Sequence, residues 1–392
     1  MQRLMFCALM LATGCAGGVV ARQTGSRMET DSSRPPIERP VARASEPVRD
    51  TIRPFASLDK GWNRIPGRPE TGCAQDSTFA FRVRPSLPDK VLIYLNGGGA
   101  CWRAQDCNPK GRPTYAMTVD SANDASIRQG LFDVANDENP VRDFTMVFVP
   151  YCTGDMHLGA RTVDYELGGT PPRTFSVRHQ GAENVDAVLE WVYTNIRSPR
   201  IVFVAGSSTG AVATPVIAAQ VARHYPRARV VQLGDAAGAY RSDSIPQMLA
   251  QWGAIDQLQN DAAFRNIDSS AFSFQRLYTA SARAATRVRY AQFNTVDDAT
   301  QLAMLAQLGV KGTTVARLLA RNLEQVHEGT PFFRAYTAPG RSHSILRSPA
   351  FYTTTVGGVR FSDWVGSLVN GEPVEEVGSS LLRATPAPKP KP

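Results

Sequence analysis

Six apolar runs rich in β-branched and aromatic residues recur along the chain with helical patterns between them, and this alternation constrains the fold more than any other feature. The runs are Lys90 to Leu95, Thr145 to Pro150, Arg200 to Ala205, Ala228 to Leu233, Arg287 to Phe293 and Phe332 to Thr337. Strands this apolar along their whole length are buried on both faces, as in a mostly parallel sheet covered by helices. Two intervening segments supply covering faces at helical spacing: Val185, Val188, Leu189, Val192 and Ile196, then Val315, Leu318, Leu319, Leu323 and Val326. The expectation is an α/β fold with a mostly parallel central sheet and flanking helices, in one domain over residues 55–382. Function in such sheets gathers at the carboxyl ends of the strands.

The third run leads directly into Gly206-Ser207-Ser208-Thr209-Gly210 and then a helix-like stretch. A Gly-x-Ser-x-Gly between a strand and a helix reads as a nucleophile elbow with Ser208 at its tip. The glycines have a physical reason: a serine on so sharp a turn is strained, and neighbours without a Cβ relieve the crowding. After the first run comes Leu95-Asn96-Gly97-Gly98-Gly99-Ala100-Cys101-Trp102, whose glycines let backbone N–H groups turn toward a substrate oxygen. The N–H of Thr209 would complete such an oxyanion hole. A phosphate-cradling loop is the competing reading, but the lysine and the Gly-x-Gly-x-x-Gly spacing it needs are missing.

A serine nucleophile needs a base, and five histidines permit elimination. His157 and His179 precede Ser208, against the order Ser, acid, His of this fold. His224 lies about 24 Å away along the following helix at 1.5 Å per residue. His327 ends an amphipathic helix, where a cation meets the helix dipole. His343 remains, in the turn-rich loop Ala338 to Ser344 after the last run. For the acid, spacing leaves Asp297 and Asp298 after the fifth run, with Asp235 after the fourth as their rival.

The ends differ in character. Met1-Gln2-Arg3 and the apolar run Leu4 to Leu11 have the shape of a secretory signal, and Leu11-Ala12-Thr13-Gly14-Cys15 resembles a lipobox in which Cys15 is lipidated. Residues 16–54 read as a disordered tether and residues 383–392 as a proline-rich tail. Export suits the cysteines: Cys73, Cys101, Cys107 and Cys152 form an even set, and Cys101 with Cys107 and Cys73 with Cys152 are the favoured pairs. No metal-ligand spacing is present, and no metal or organic cofactor is called for. The net charge of +8 comes largely from scattered arginine and singles out no nucleic-acid partner. The expected protein is exported, periplasmic or secreted, anchored through Cys15 if lipidated, and monomeric.

The glycine loop, Val149-Pro150-Tyr151-Cys152-Thr153-Gly154-Asp155 and the serine pentapeptide, in that order, resemble the pectin acetylesterase/Notum family of α/β-hydrolase-like serine esterases. Gly181-Ala182-Glu183-Asn184, Asp298-Ala299-Thr300-Gln301 and the His343 loop extend the likeness over roughly Cys73 to Leu368. The resemblance implies the triad Ser208, Asp298 and His343, since the family's acid precedes a glutamine by three positions. It also implies oxyanion donors at Gly98, Gly99 and Thr209 and supports the Cys101–Cys107 pairing. Thr209 and Ala211 depart from the family's usual Ser-Ala-Gly-Gly, and Gly99-Ala100 replaces an aromatic-bearing loop. The implied activity is hydrolysis of acetyl esters on a polysaccharide or of similar small esters. A lipid or long-chain acyl esterase and a non-catalytic carbohydrate-binding lipoprotein are the alternatives. Trp102, Tyr151 and Trp252 are candidates either for stacking on sugar rings or for the core.

Overall fold

The computed structural model describes residues 53–119 and 127–383. The expected signal segment with Cys15, nearly all of the tether, and the tail from residue 384 lie outside the described residues. The central sheet is built from β1 (Asn63–Pro66), β2 (Ala80–Arg84), β3 (Leu87–Leu95), β4 (Phe144–Val149), β7 (Ile201–Ser207), β8 (Arg229–Asp235), β9 (Arg289–Thr295) and β10 (Phe333–Ala338). Their order is β1-β2-β4-β3-β7-β8-β9-β10. β4 through β10 in that order run parallel, and β2 and β1 add an antiparallel edge.

The six apolar runs are the six parallel strands. Along β3, Val91, Ile93 and Leu95 enter one core cluster while Leu92 and Tyr94 enter the cluster on the opposite face, so the alternation of side chains feeds two layers. The helices Gly181–Asn195 and Val315–Gly329 carry the two apolar faces read from the sequence, and both bury them. This is an α/β-hydrolase-like single domain. Among the described residues no helix is long and apolar enough to cross a membrane.

The strands not anticipated carry polar or charged positions. β1 ends in proline, and the separate hairpin of β5 (Arg161–Leu167) and β6 (Arg173–His179) exposes Arg161, Thr162, Asp164, Glu166, Arg173, Thr174 and Ser176. The hairpin packs over the glycine-loop disulfide, with Tyr165 and Val177 in one small cluster with Cys101 and Cys107. Both expected disulfides are present, Cys73–Cys152 and Cys101–Cys107.

Candidate active site

The elbow forms where β7 meets the helix Thr209–His224. Ser208 sits at φ 54° and ψ −129°, a strained conformation for a side chain-bearing residue. The flanking glycines are required by contact: a Cβ on Gly206 would lie 2.7 Å from the Gly210 carbonyl oxygen, and one on Gly210 would run into the carbonyls of Leu95 and Asn96. The strain is held by a bond to the next strand, the Ser208 N–H donating to the Asp235 carbonyl at 2.7 Å.

Asp298 lies at the entry to the helix Ala299–Gln307 and is wholly buried, whereas Asp297 is exposed. Its Oδ1 accepts from the N–H groups of Thr300 and Gln301, both at 2.9 Å, as an N-cap does. Its Oδ2 faces His343 Nδ1 at 2.8 Å and also accepts from Gln301 Nε2 at 3.1 Å. The glutamine three residues on therefore holds the carboxylate twice, once by backbone and once by side chain. Because a carboxylate only accepts, Nδ1 carries the proton and the Nε2 lone pair is left free. Nε2 is buried without a hydrogen-bond partner, so the link to Ser208 is not closed. Catalytic hydrogen bonds are often open in unliganded enzymes and tighten with substrate.

The other histidines have other tasks. His157 donates from Nε2 to the Asn96 carbonyl at 2.8 Å, holding the residue just before the glycine loop. His179 donates from Nδ1 to the Thr153 carbonyl and accepts from the Tyr165 hydroxyl, both at 2.9 Å. Burial pushes both down to about 4, so they stay neutral. His224 stacks on Tyr193 at 3.6 Å, and His327, in the last turn of its helix, pairs with Glu376 at 3.0 Å.

The glycine loop rests on the elbow. A Cβ on Gly97, which the sequence did not single out, would lie 2.8 Å from Ser208 Cβ. The Gly98 N–H donates to the Thr209 hydroxyl at 3.1 Å, and Gly99 takes φ 78°. Thr209 is thus beside the loop through its side chain as well as its backbone. Tyr151 and Trp252 are fully buried, the latter donating to the Cys101 carbonyl at 2.8 Å, so both belong to the core; Trp102 is half-buried. Cys101, Cys107 and His179 place donor atoms within 4.8 Å of one another, but the sulfurs are joined and both ring nitrogens are engaged.

A second residue missed by sequence reasoning is Tyr240. Its ring is fully buried on the loop after β8, and its hydroxyl lies near Ser208 and Asp298 without a fully aligned hydrogen bond. Burial pushes the phenol up, so it remains protonated and able to donate.

The family model for pectinacetylesterase matches residues 70–273, just over half of the chain. The chain belongs to the pectinacetylesterase family. Family membership makes it an ester hydrolase of the acetylesterase kind. The matched span contains the glycine loop, both disulfides and the elbow, while Asp298 and His343 lie beyond it. No curated protein matches the chain.

Proposed function

We propose that this pectinacetylesterase-family protein is a serine esterase that removes acetyl groups from a polysaccharide. Ser208 Oγ attacks the acetyl carbonyl as His343 Nε2 takes its proton, and the tetrahedral oxyanion is met by N–H groups of Gly98, Gly99 and Thr209. Collapse breaks the bond to the sugar oxygen, which takes the proton from His343 Nε2 and leaves as a hydroxyl, with the acetyl group left on Ser208. Water, deprotonated by the same nitrogen, then releases acetate and restores Ser208. Asp298 fixes the tautomer and stabilises the imidazolium between steps. For the oxyanion to use the Gly98 N–H, the Thr209 hydroxyl must yield it.

The observation that carries this reading is the pairing of His343 Nδ1 with the capped, buried Asp298, which leaves Nε2 basic and unengaged. The acetyl group is taken from the family membership, and Tyr240 is buried beside Ser208. The proposed setting is outside the cytoplasm, as a monomer either secreted or, where Cys15 is lipidated, held at a membrane, and the mechanism calls for no cofactor.

Acetate release from a panel of acetylated polysaccharides, with Ser208→Ala as the control, tests the reading. Release from at least one polymer by the wild type and none by the variant is expected. Preference for long-chain over acetyl p-nitrophenyl esters would move the assignment to a lipid esterase. No turnover of any ester would point to the non-catalytic lipoprotein.

A further inference from the structure

His343 is held by its ring to Asp298, but the loop carrying it is held by a different carboxylate. Asp235 closes β8 and is fully buried. Its Oδ2 accepts three hydrogen bonds, from Ser207 Oγ at 2.7 Å and from the N–H groups of Ile345 and Leu346, both at 3.0 Å. Its main-chain carbonyl accepts the Ser208 N–H. Ser207 Oγ in turn accepts from Tyr94 Oη at 2.6 Å, so the chain of bonds is rooted in β3. One residue therefore touches the nucleophile's backbone, the side chain before it, and two amides just beyond the histidine.

Elbow and histidine loop leave different strands, β7 and β10, with β8 and β9 between them. The β9–β10 pairing carries on into the histidine loop, where Asp297 N–H donates to the Gly340 carbonyl at 3.1 Å and Thr295 Oγ1 to the Ser342 carbonyl at 2.7 Å. These bonds tie the loop to β9 and not to the elbow, and a misplacement of about 1 Å can cost roughly 100-fold in rate. Three donors converging on one oxygen suit a carboxylate, whose full charge strengthens each bond, better than a neutral amide. Placing that charge in a fully buried site is costly: burial pushes Asp235 up to about 6. A residue that only filled space there would be cheaper neutral. The nearby His343 ring offsets part of the cost once it is protonated during acyl transfer.

We infer that Asp235 is a positioning residue, tying the Ser208 elbow to the His343 loop so that one buried carboxylate sets the distance between nucleophile and base. The inference rests on the serine-esterase reading above. Asp235 touches no reacting atom. Its effect passes through Ser207 on one side and through Ile345 and Leu346 on the other.

The test is steady-state p-nitrophenyl acetate hydrolysis by the full chain, comparing wild type, Ser208→Ala, Asp235→Asn, Ser207→Ala and the Asp235→Asn/Ser207→Ala double variant. Each rate is scaled by the folded fraction from a urea melt. Asp235→Asn is expected to lower kcat about 10- to 100-fold with KM within about twofold, since substrate contacts are untouched. Ser207→Ala should lower it by a smaller factor, and the double variant should be no worse than Asp235→Asn within about twofold, as for residues sharing one network. The low-field proton resonance of His343 Nδ1–H should broaden or shift in Asp235→Asn, which a purely structural role would leave in place. If Asp235→Asn does not fold, Ser207→Ala decides alone. Wild-type kcat and an unchanged resonance in the folded variants, with Ser208→Ala inactive, would overturn the inference. An active Ser208→Ala would instead overturn the serine-esterase reading beneath it.

Discussion

The two sides of the site are held by different means. On the side of Ser208 and His343, buried carboxylates at the ends of β8 and β9 grip loops through hydrogen bonds: Asp235 the backbone after the histidine, Asp298 the imidazole itself. On the side of the glycine loop the restraints are covalent and neutral. Cys101 is bonded to Cys107, Cys152 to Cys73, and neutral His157 holds the Asn96 carbonyl. The difference follows from the task. In the proposed mechanism a proton moves on the first side, and charge is placed where an imidazolium would form. On the second, backbone amides need only stay still. Asp155 is the exception, a buried carboxylate on the glycine-loop side: it accepts from Thr153 Oγ1, His157 N–H and Gly181 N–H, and touches no histidine ring.

The comparison breaks most visibly at the acid. Asp298→Asn is expected to lower kcat about 10³- to 10⁴-fold, because an amide in that position no longer fixes the Nδ1–H tautomer. The loss should exceed that of Asp235→Asn; equal losses would mean that both carboxylates do one job.

The covalent side should answer in stability. In the loop-entropy model, losing the Cys73–Cys152 bridge, with its sequence separation of 79, costs about 4–5 kcal/mol. Losing Cys101–Cys107, with a separation of 6, costs about 2 kcal/mol. Urea melts of the paired Cys→Ser variants measure this. A larger loss for the short bridge would show that the hairpin packed over it, rather than loop closure, sets its worth.

Titration separates the sides again. Burial raises Asp155 and Asp235 to about 6, above their unfolded value, so each adds stability as pH falls through 6 toward 4. His157 and His179, lowered to about 4, take stability away over the window from the unfolded value near 6.5 down to 4. On the glycine-loop side two histidines outweigh one aspartate. Asp155→Asn removes the favourable member, so acidification from about pH 6.5 to about 4.5 should destabilise it more than the wild type, by on the order of 2 kcal/mol. Parallel pH profiles of the two urea midpoints would contradict the assignment of Asp155 as a buried, charged group at neutral pH. The smallest effect is expected at Asp297, which is exposed: Asp297→Asn should change kcat by less than about twofold, within the scatter of ordinary surface changes.

The six parallel strands were legible because burial on both faces leaves a mainly apolar signature, whereas β1, β2 and the β5–β6 hairpin alternate charge with apolar residues or end in proline. The glycines around Ser208 were legible for a similar reason, since close backbone approach leaves no alternative residue. The acid was not settled by spacing. Asp235 and the Asp297-Asp298 pair all follow strands between Ser208 and His343, and only the resemblance to a family with a following glutamine favoured Asp298. The cap on Asp298 and the outward position of Asp297 explain why that glutamine matters. Asp235 and Tyr240 act through distances that no linear pattern encodes. A polar residue at a strand's carboxyl end, or a tyrosine a few residues past it, marks a neighbourhood and nothing finer.

The identity of the nucleophile is tested most directly by treating the active protein with a fluorophosphonate and locating the adduct by peptide mass. A single adduct on Ser208, forming in step with the loss of acetyl ester hydrolysis, is the expected result. Full inactivation with the label on another residue, or full activity with Ser208 labelled, would contradict the assignment of Ser208 as the attacking group.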